Sequence, residues 1–554
     1  MWRAETVTSR RRGVLRSAAG GRTPTFRKVV ACTISVVAAT ALGVGAVGAS
    51  SRAAARAPKA GHVHVGGTLT VLEGAALPGD WPGLDPATSN TTLSNATMLD
   101  AIYGELFESG ANNSIIPDLA TGSSLTDGGR IFTIDLRHGV TFSDGTPFDA
   151  AAVAFNFRRD LASKTSTSNP LWPPHPVVST PNPYTVVVHF SAPDGAALNQ
   201  LLDTNLVWIL SPTALRRLGE KRFSLDPVGA GPFEVVSDTP SDKLVLKKNP
   251  RYWQKGHPYL NGLTFVTVAN DESALEDMKA GDGQAYQFMS TPQLVSAFKG
   301  AGYTVTADPG SSVTDIELES GVAPFTNIKA REALYYAIDA AAVNSKIYDG
   351  TCPVSQSFTG PGGIFYEPKV PGYRTYDLAK ARALVKSLGG LSFTMYYLDS
   401  GIYVSLAPAL QAMLDDAGMH VTIKGLPNLG AAIGEFNTHT WPAYLWVMGS
   451  YDPAGGIGVS FFLASYGPFS GIHDPTVDKY IGQGQASVGK SARAAAYAAL
   501  ARYISAKAYA PYMCAATTWD VAAKGVTGPG LTTAYGSFGE GPLVQWENVS
   551  VNNG

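Results

Sequence analysis

Metal-site and nucleophile spacings are missing from this chain of 554 residues. Its three cysteines, Cys32, Cys352 and Cys514, never approach the spacing of a zinc site. Nine histidines are scattered, and no His-Glu-x-x-His occurs. His62 and His64 sit two apart, in a stretch that reads as a solvated linker. Gly536-Ser537-Phe538-Gly539 is not the Gly-x-Ser-x-Gly of a nucleophile elbow. Asp415-Asp416 falls at the end of an amphipathic helix and reads as a solvated face. Gly43, Gly45 and Gly48 spell Gly-x-Gly-x-x-Gly, but no strand precedes them, so they make no nucleotide site. No catalytic residues, no metal site and no cofactor are therefore expected.

Charge is also scarce, at 16% of residues, while apolar residues make up 45% and aromatics 10%. Such a chain orders itself around a core, and its length calls for two or three lobes. No internal repeat of fixed period is visible. The basic residues cluster early: Arg10, Arg11, Arg12, Arg16, Arg22, Arg27 and Lys28 precede an uncharged run from Val29 to Ser50. Val47-Gly48-Ala49 then offers a cleavage site, so residues 1–50 read as an export signal. Ser9-Arg10-Arg11 is similar to a twin-arginine signal, although Gly13 stands where a bulky apolar residue is usual. An uncleaved anchor is the alternative, since the run is long enough to span a bilayer. Val29-Val30-Ala31-Cys32 spells a lipobox, but Cys32 begins the apolar run instead of ending it. Without residues 1–49 the chain holds 34 basic and 43 acidic residues, which argues against nucleic acid as a partner. Export permits a disulfide between Cys352 and Cys514, with their distance in space left open. Residues 51–66 read as a tether.

The stretch Arg130–Arg159 carries the most information. Phe132, Ile134 and Leu136 alternate with Thr133, Asp135 and Arg137, as in a half-buried strand. Asp144-Gly145 supplies a turn, and Asp149 is placed to cap a helix whose Val153, Phe157 and Leu161 share one face. Leu136, Arg137, Gly139, Val140, Phe142, Asp144, Gly145, Pro147 and Phe148 closely resemble the signature of the family 5 extracytoplasmic solute-binding proteins. These are the peptide- and nickel-binding receptors of ABC importers. The family usually has an acidic residue where this chain has Ala152.

The resemblance extends further. Leu84-Asp85-Pro86 and Tyr103 to Glu108 are similar to the family's opening. Gly229-Ala230-Gly231-Pro232-Phe233 begins its hairpin, with strands at Phe233–Val236 and Leu244–Lys248, closed by Asn249, Pro250, Tyr252 and Trp253. Pro324 to Asp339 is similar to its long helix. Asp377 to Leu388 is similar to a helix stopped by Gly389, and Leu406 to Gly418 leads to a strand at His420–Lys424.

Tyr444 to Pro453 resembles the family's Trp-x-x-Asp-x-x-Asp-Pro loop in the binding cleft. Aligned on Trp446 and Asp452-Pro453, the first aspartate is replaced by Gly449. In peptide-binding members that aspartate pairs with the ligand's α-ammonium, so the resemblance implies that this chain lacks the usual anchor. Nickel chelates, sugars, opine-like and other organic solutes stand beside peptides as candidate ligands. Trp446, Tyr451 and Trp81 are the aromatic candidates for the cleft, where ring faces hold sugars, cations and flat ligands. Core packing is the competing reading for each, and Trp172 reads as structural.

The fold class implied is α/β, a two-lobed periplasmic-binding-protein-like fold (type II, cluster C-like) with an extra subdomain on lobe I. Lobe I is expected at 67–105, 190–310 and 516–554, the inserted subdomain at 106–189 and lobe II at 311–515. The implied function is an exported, monomeric receptor that holds a small-molecule or peptide ligand between its lobes and docks on an ABC permease. A secreted hydrolase acting on glycans or peptides is the alternative.

Overall fold

A computed structural model describes residues 63–74, 83–88, 93–110, 114–163, 172–308, 310–449, 451–454, 458–532 and 544–552. The export signal, Cys32, His62, Trp81 and Ser537 lie outside them. No helix among the described residues is long and apolar enough to cross a membrane.

Two large sheets organise the chain. The first has seven strands, in the order Thr304–Asp308, Thr518–Ala522, Ala285–Met289, Thr68–Gly74, Gly262–Val268, Lys243–Lys248 and Phe233–Thr239. The second has five, in the order His420–Leu426, Ser392–Leu398, Ala443–Met448, Val313–Leu318 and Cys514–Ala515. A separate four-stranded antiparallel sheet is built from residues 120–189.

The chain passes between the two large sheets twice. Thr304–Asp308 belongs to the first and Val313–Leu318 to the second, so residues 310–312 lie in one crossover. Cys514–Ala515 and Thr518–Ala522 bracket the other. The crossovers touch, with Ala516 N donating to Ser312 O at 3.2 Å. Loop 360–363 packs on the first of them through Gly360 N to Ser311 O and Gly362 N to Gly310 O, at 2.7 and 2.8 Å. A Cβ at Gly360 would lie 2.9 Å from Gly310 O, so only glycine lets these backbones meet.

The local expectations around Arg130–Arg159 hold. Phe132, Ile134 and Leu136 of the strand Ile131–Leu136 are buried. Gly145 turns with φ +84°, and Asp149 Oδ1 accepts from Ala152 N at 2.9 Å to start the helix Ala150–Ala162. Trp172 is buried edge-on against Phe132, Phe157 and Phe190. The helix expected through Asp339 is in fact two, Ile328–Ala337 and Ala340–Lys346. Asp339 breaks it, because its carboxylate accepts from the N–H groups of Ala341 and Ala342 and caps the second helix. The hairpin strand beginning at Phe233 runs on to Thr239.

Cys352 and Cys514 are joined in a disulfide. It fastens the buried loop at Cys352, which packs with the five-stranded sheet, to the strand just before the second crossover.

Candidate functional site

The segment after the strand Ala443–Met448 lies where the two lobes meet. Asp452 is fully buried and is the hub of this seam. It forms an ion pair with Arg493, on the helix Lys490–Lys507, and accepts from Asn199 Nδ2 at 2.6 Å and from Ala454 N at 2.9 Å. Asn199 belongs to the helix Ala197–Leu202, whose Leu201 and Leu202 share a hydrophobic cluster with the seven-stranded sheet. Gln200 Nε2 donates to Ala454 O at 3.0 Å, and Gly195 N to Gln485 O at 2.7 Å. Burial opposes the charge on Arg493, but the Asp452 carboxylate outweighs it and raises the guanidinium pKa above its usual value. Asp194, beside this seam, is pushed up to about 7 by burial.

Tyr451 is only 2% exposed and packs in the cluster of the seven-stranded sheet, with its carbonyl accepting from Ile364 N at 2.9 Å. Trp446 is half-buried within the strand Ala443–Met448, not in a loop. Its ring stacks on Tyr403 at 6.4 Å and 11°, and meets Phe436 and Tyr444 edge-on at 5.4 and 5.7 Å. Gly449 is buried beside the first crossover. A Cβ there would sit 2.3 Å from Ser312 Oγ and 3.2 Å from Ser312 Cβ, so an aspartate does not fit while Ser312 stays in place.

Two carboxylates came without warning from the sequence. Asp315 and Glu317 share one face of the strand Val313–Leu318, opposite Trp446 and Tyr444. They are 0% and 1% exposed, and burial pushes both well above the usual carboxylate range. Among the described residues no three His, Cys, Asp or Glu side chains assemble as a metal site.

Residues 114–467 match the family described as "Bacterial extracellular solute-binding proteins, family 5 Middle". The chain belongs to this family. It is 30% identical over 332 residues to the glutathione-binding protein GsiB of Salmonella paratyphi A, a match covering 58% of this chain. The matched part spans 62% of that relative's length. A dipeptide-binding protein from Pseudoalteromonas sp. SM9913, solved with Met-Leu, superposes with a TM-score of 0.76 at 19% identity, covering 88% of this chain and all of that one. AgaA of A. tumefaciens R10, solved with agropinic acid, gives 0.72 at 21%, covering 88% of this chain and 99% of that one. The family 5 members are therefore two-lobed neighbours of this fold.

Proposed function

We propose that this protein is an exported solute receptor of an ABC importer, a monomer that closes its lobes on a small organic solute and presents it to a membrane permease. The observation that carries the reading is the seam at Asp452. Arg493 holds that carboxylate from one lobe, and Asn199 reaches it from the other. Opening separates Asn199 from Asp452 and Gln200 from Ala454, and leaves the Arg493 pair intact. The crossovers at 310–312 and 516–517 act as the hinge. A solute stabilises the closed form only by contacts that the open form lacks. Typical affinity is about micromolar, or roughly −8 kcal/mol.

One relative is named for glutathione and two structural neighbours are solved with Met-Leu and agropinic acid, so the solutes proposed here are of that size. Trp446 is proposed as a cleft aromatic, Tyr451 and Gly449 as parts of the cleft floor, and Trp81 as a further aromatic of the same groove. Lobe I is read as 67–105, 190–310 and 516–554, the subdomain as 106–189 and lobe II as 311–515. Small-angle scattering with and without the solute that co-purifies tests the reading: contraction on binding supports it. An unchanged profile, or conversion of the solute into product, refutes it.

A further inference from the structure

The edge of the seven-stranded sheet that leads into the crossovers carries a row of polar side chains. Glu73, Gln287 and Asp520 lie on the adjacent strands Thr68–Gly74, Ala285–Met289 and Thr518–Ala522. Glu73 is in register with Gln287. Asp520 lies opposite the bulge between Tyr286 and Met289. All three point to the face of the sheet that Leu69, Val71, Ala285 and Ala522 also line. This edge is the carboxyl end of the parallel strands, the end at which open α/β sheets hold their ligands.

The three residues are 1%, 0% and 2% exposed, yet they are not satisfied. Glu73 Oε2, Asp520 Oδ1 and both amide atoms of Gln287 have no hydrogen-bond partner among the described residues. Glu73 is held from behind by Thr97 Oγ1, which donates to Oε1 at 3.3 Å. The Phe288 backbone N–H lies against Asp520, and Phe288 itself is strained at φ +60°. Burial pushes both carboxyls well above their usual range, as it does where the partner charge is not yet present. A sheet built for stability alone fills such positions with apolar side chains, because unpaired buried polar groups are costly.

We propose that Glu73, Gln287 and Asp520 form the seat for a primary ammonium group of the transported solute. A primary ammonium has three N–H donors, and the row offers one acceptor oxygen from each of three neighbouring strands. Adjacent strands lie about 4.8 Å apart, so the outer two carboxylates flank a group centred over Gln287. The seat belongs to the first lobe and supplies, from the opposite side of the groove, the negative charge that position 449 does not. This inference rests on the receptor reading above and narrows it to amine-bearing solutes.

The test uses the exported chain and two pools of solute. One is an enzymatic casein digest with glutathione added, and the other is the same mixture after acetylation of its primary amines. Native mass spectrometry identifies what is retained. Retention from the untreated pool alone, weakened about tenfold or more in Glu73→Gln and Asp520→Asn, supports the seat. Both variants should melt no lower than the parent without solute, because a purely structural carboxylate would cost stability when replaced. Equal retention from both pools, undiminished binding in both variants, or lower melting in both refutes it. Capture of only amine-free sugars from a third pool refutes the seat and leaves the receptor reading standing. Capture from no pool refutes both.

Discussion

Arg493 and Asp452 form a buried ion pair that joins the longest described helix to the segment following the central strand of the second sheet. Their side chains are 5% and 0% exposed. Removing one partner of such a pair strands the other charge, at a cost of about 3–5 kcal/mol. Arg493→Met should therefore lower the urea midpoint strongly. Asn199→Ala should leave it nearly unchanged and shift the open–closed balance instead, read as a larger radius of gyration without solute.

Gly449 and Ser312 are matched in size. Gly449→Ala should cost about 1–3 kcal/mol through overpacking. The pair Gly449→Ala with Ser312→Gly should recover part of that loss. A double-mutant cycle by chemical denaturation measures the coupling, and additive losses would show that the two sites do not touch.

The disulfide closes a span of 162 residues. Replacing both cysteines by serine should cost about 2–5 kcal/mol. Thermal melting of the serine variant, and of the parent under reducing conditions, should fall together.

Around the short strand Phe107–Gly110, buried acids gather. Burial raises Asp118 to about 6, Asp100 to about 7 and Glu547 to about 8. Each carboxyl binds its proton more tightly folded than unfolded, so folding takes up protons between roughly pH 4 and the raised values. The stability this gives is complete below that window and is lost as pH rises through it. Urea unfolding should show a loss on the order of 5 kcal/mol between pH 5.5 and pH 8.5. Glu547→Gln should flatten the upper part of the slope.

Trp446 stacks on Tyr403 and is only half-buried. Trp446→Ala should weaken solute binding about tenfold or more, and Trp446→Phe should restore most of it. Calorimetric titration with the co-purified solute decides this. Unchanged affinity in the alanine variant would assign the ring to packing alone.

Local features were legible because their causes are local. Asp149 caps its helix, and Gly389 at φ +75° ends another, within a few residues of where each signal is written. The seam was not legible. Asp452 finds Arg493 and Asn199 at separations of 41 and 253 residues, and no spacing rule links them. Asp315 and Glu317 were illegible for a different reason. Charge alternating with apolar residues normally marks a solvent face, but here that face is covered by tyrosines and Trp446. The row of Glu73, Gln287 and Asp520 is assembled by register across three strands, which only pairing reveals.

The strand Thr518–Ala522 sits inside the first sheet, between strands that end at Met289 and Asp308. During synthesis those two neighbours exist for more than two hundred residues before it arrives. Until then each presents a bare row of backbone donors and acceptors, open to pairing with a wrong chain. Maturation of the first lobe thus waits for almost the whole polypeptide, and a chain cut short before residue 518 would leave the edge strand Thr304–Asp308 without its neighbour.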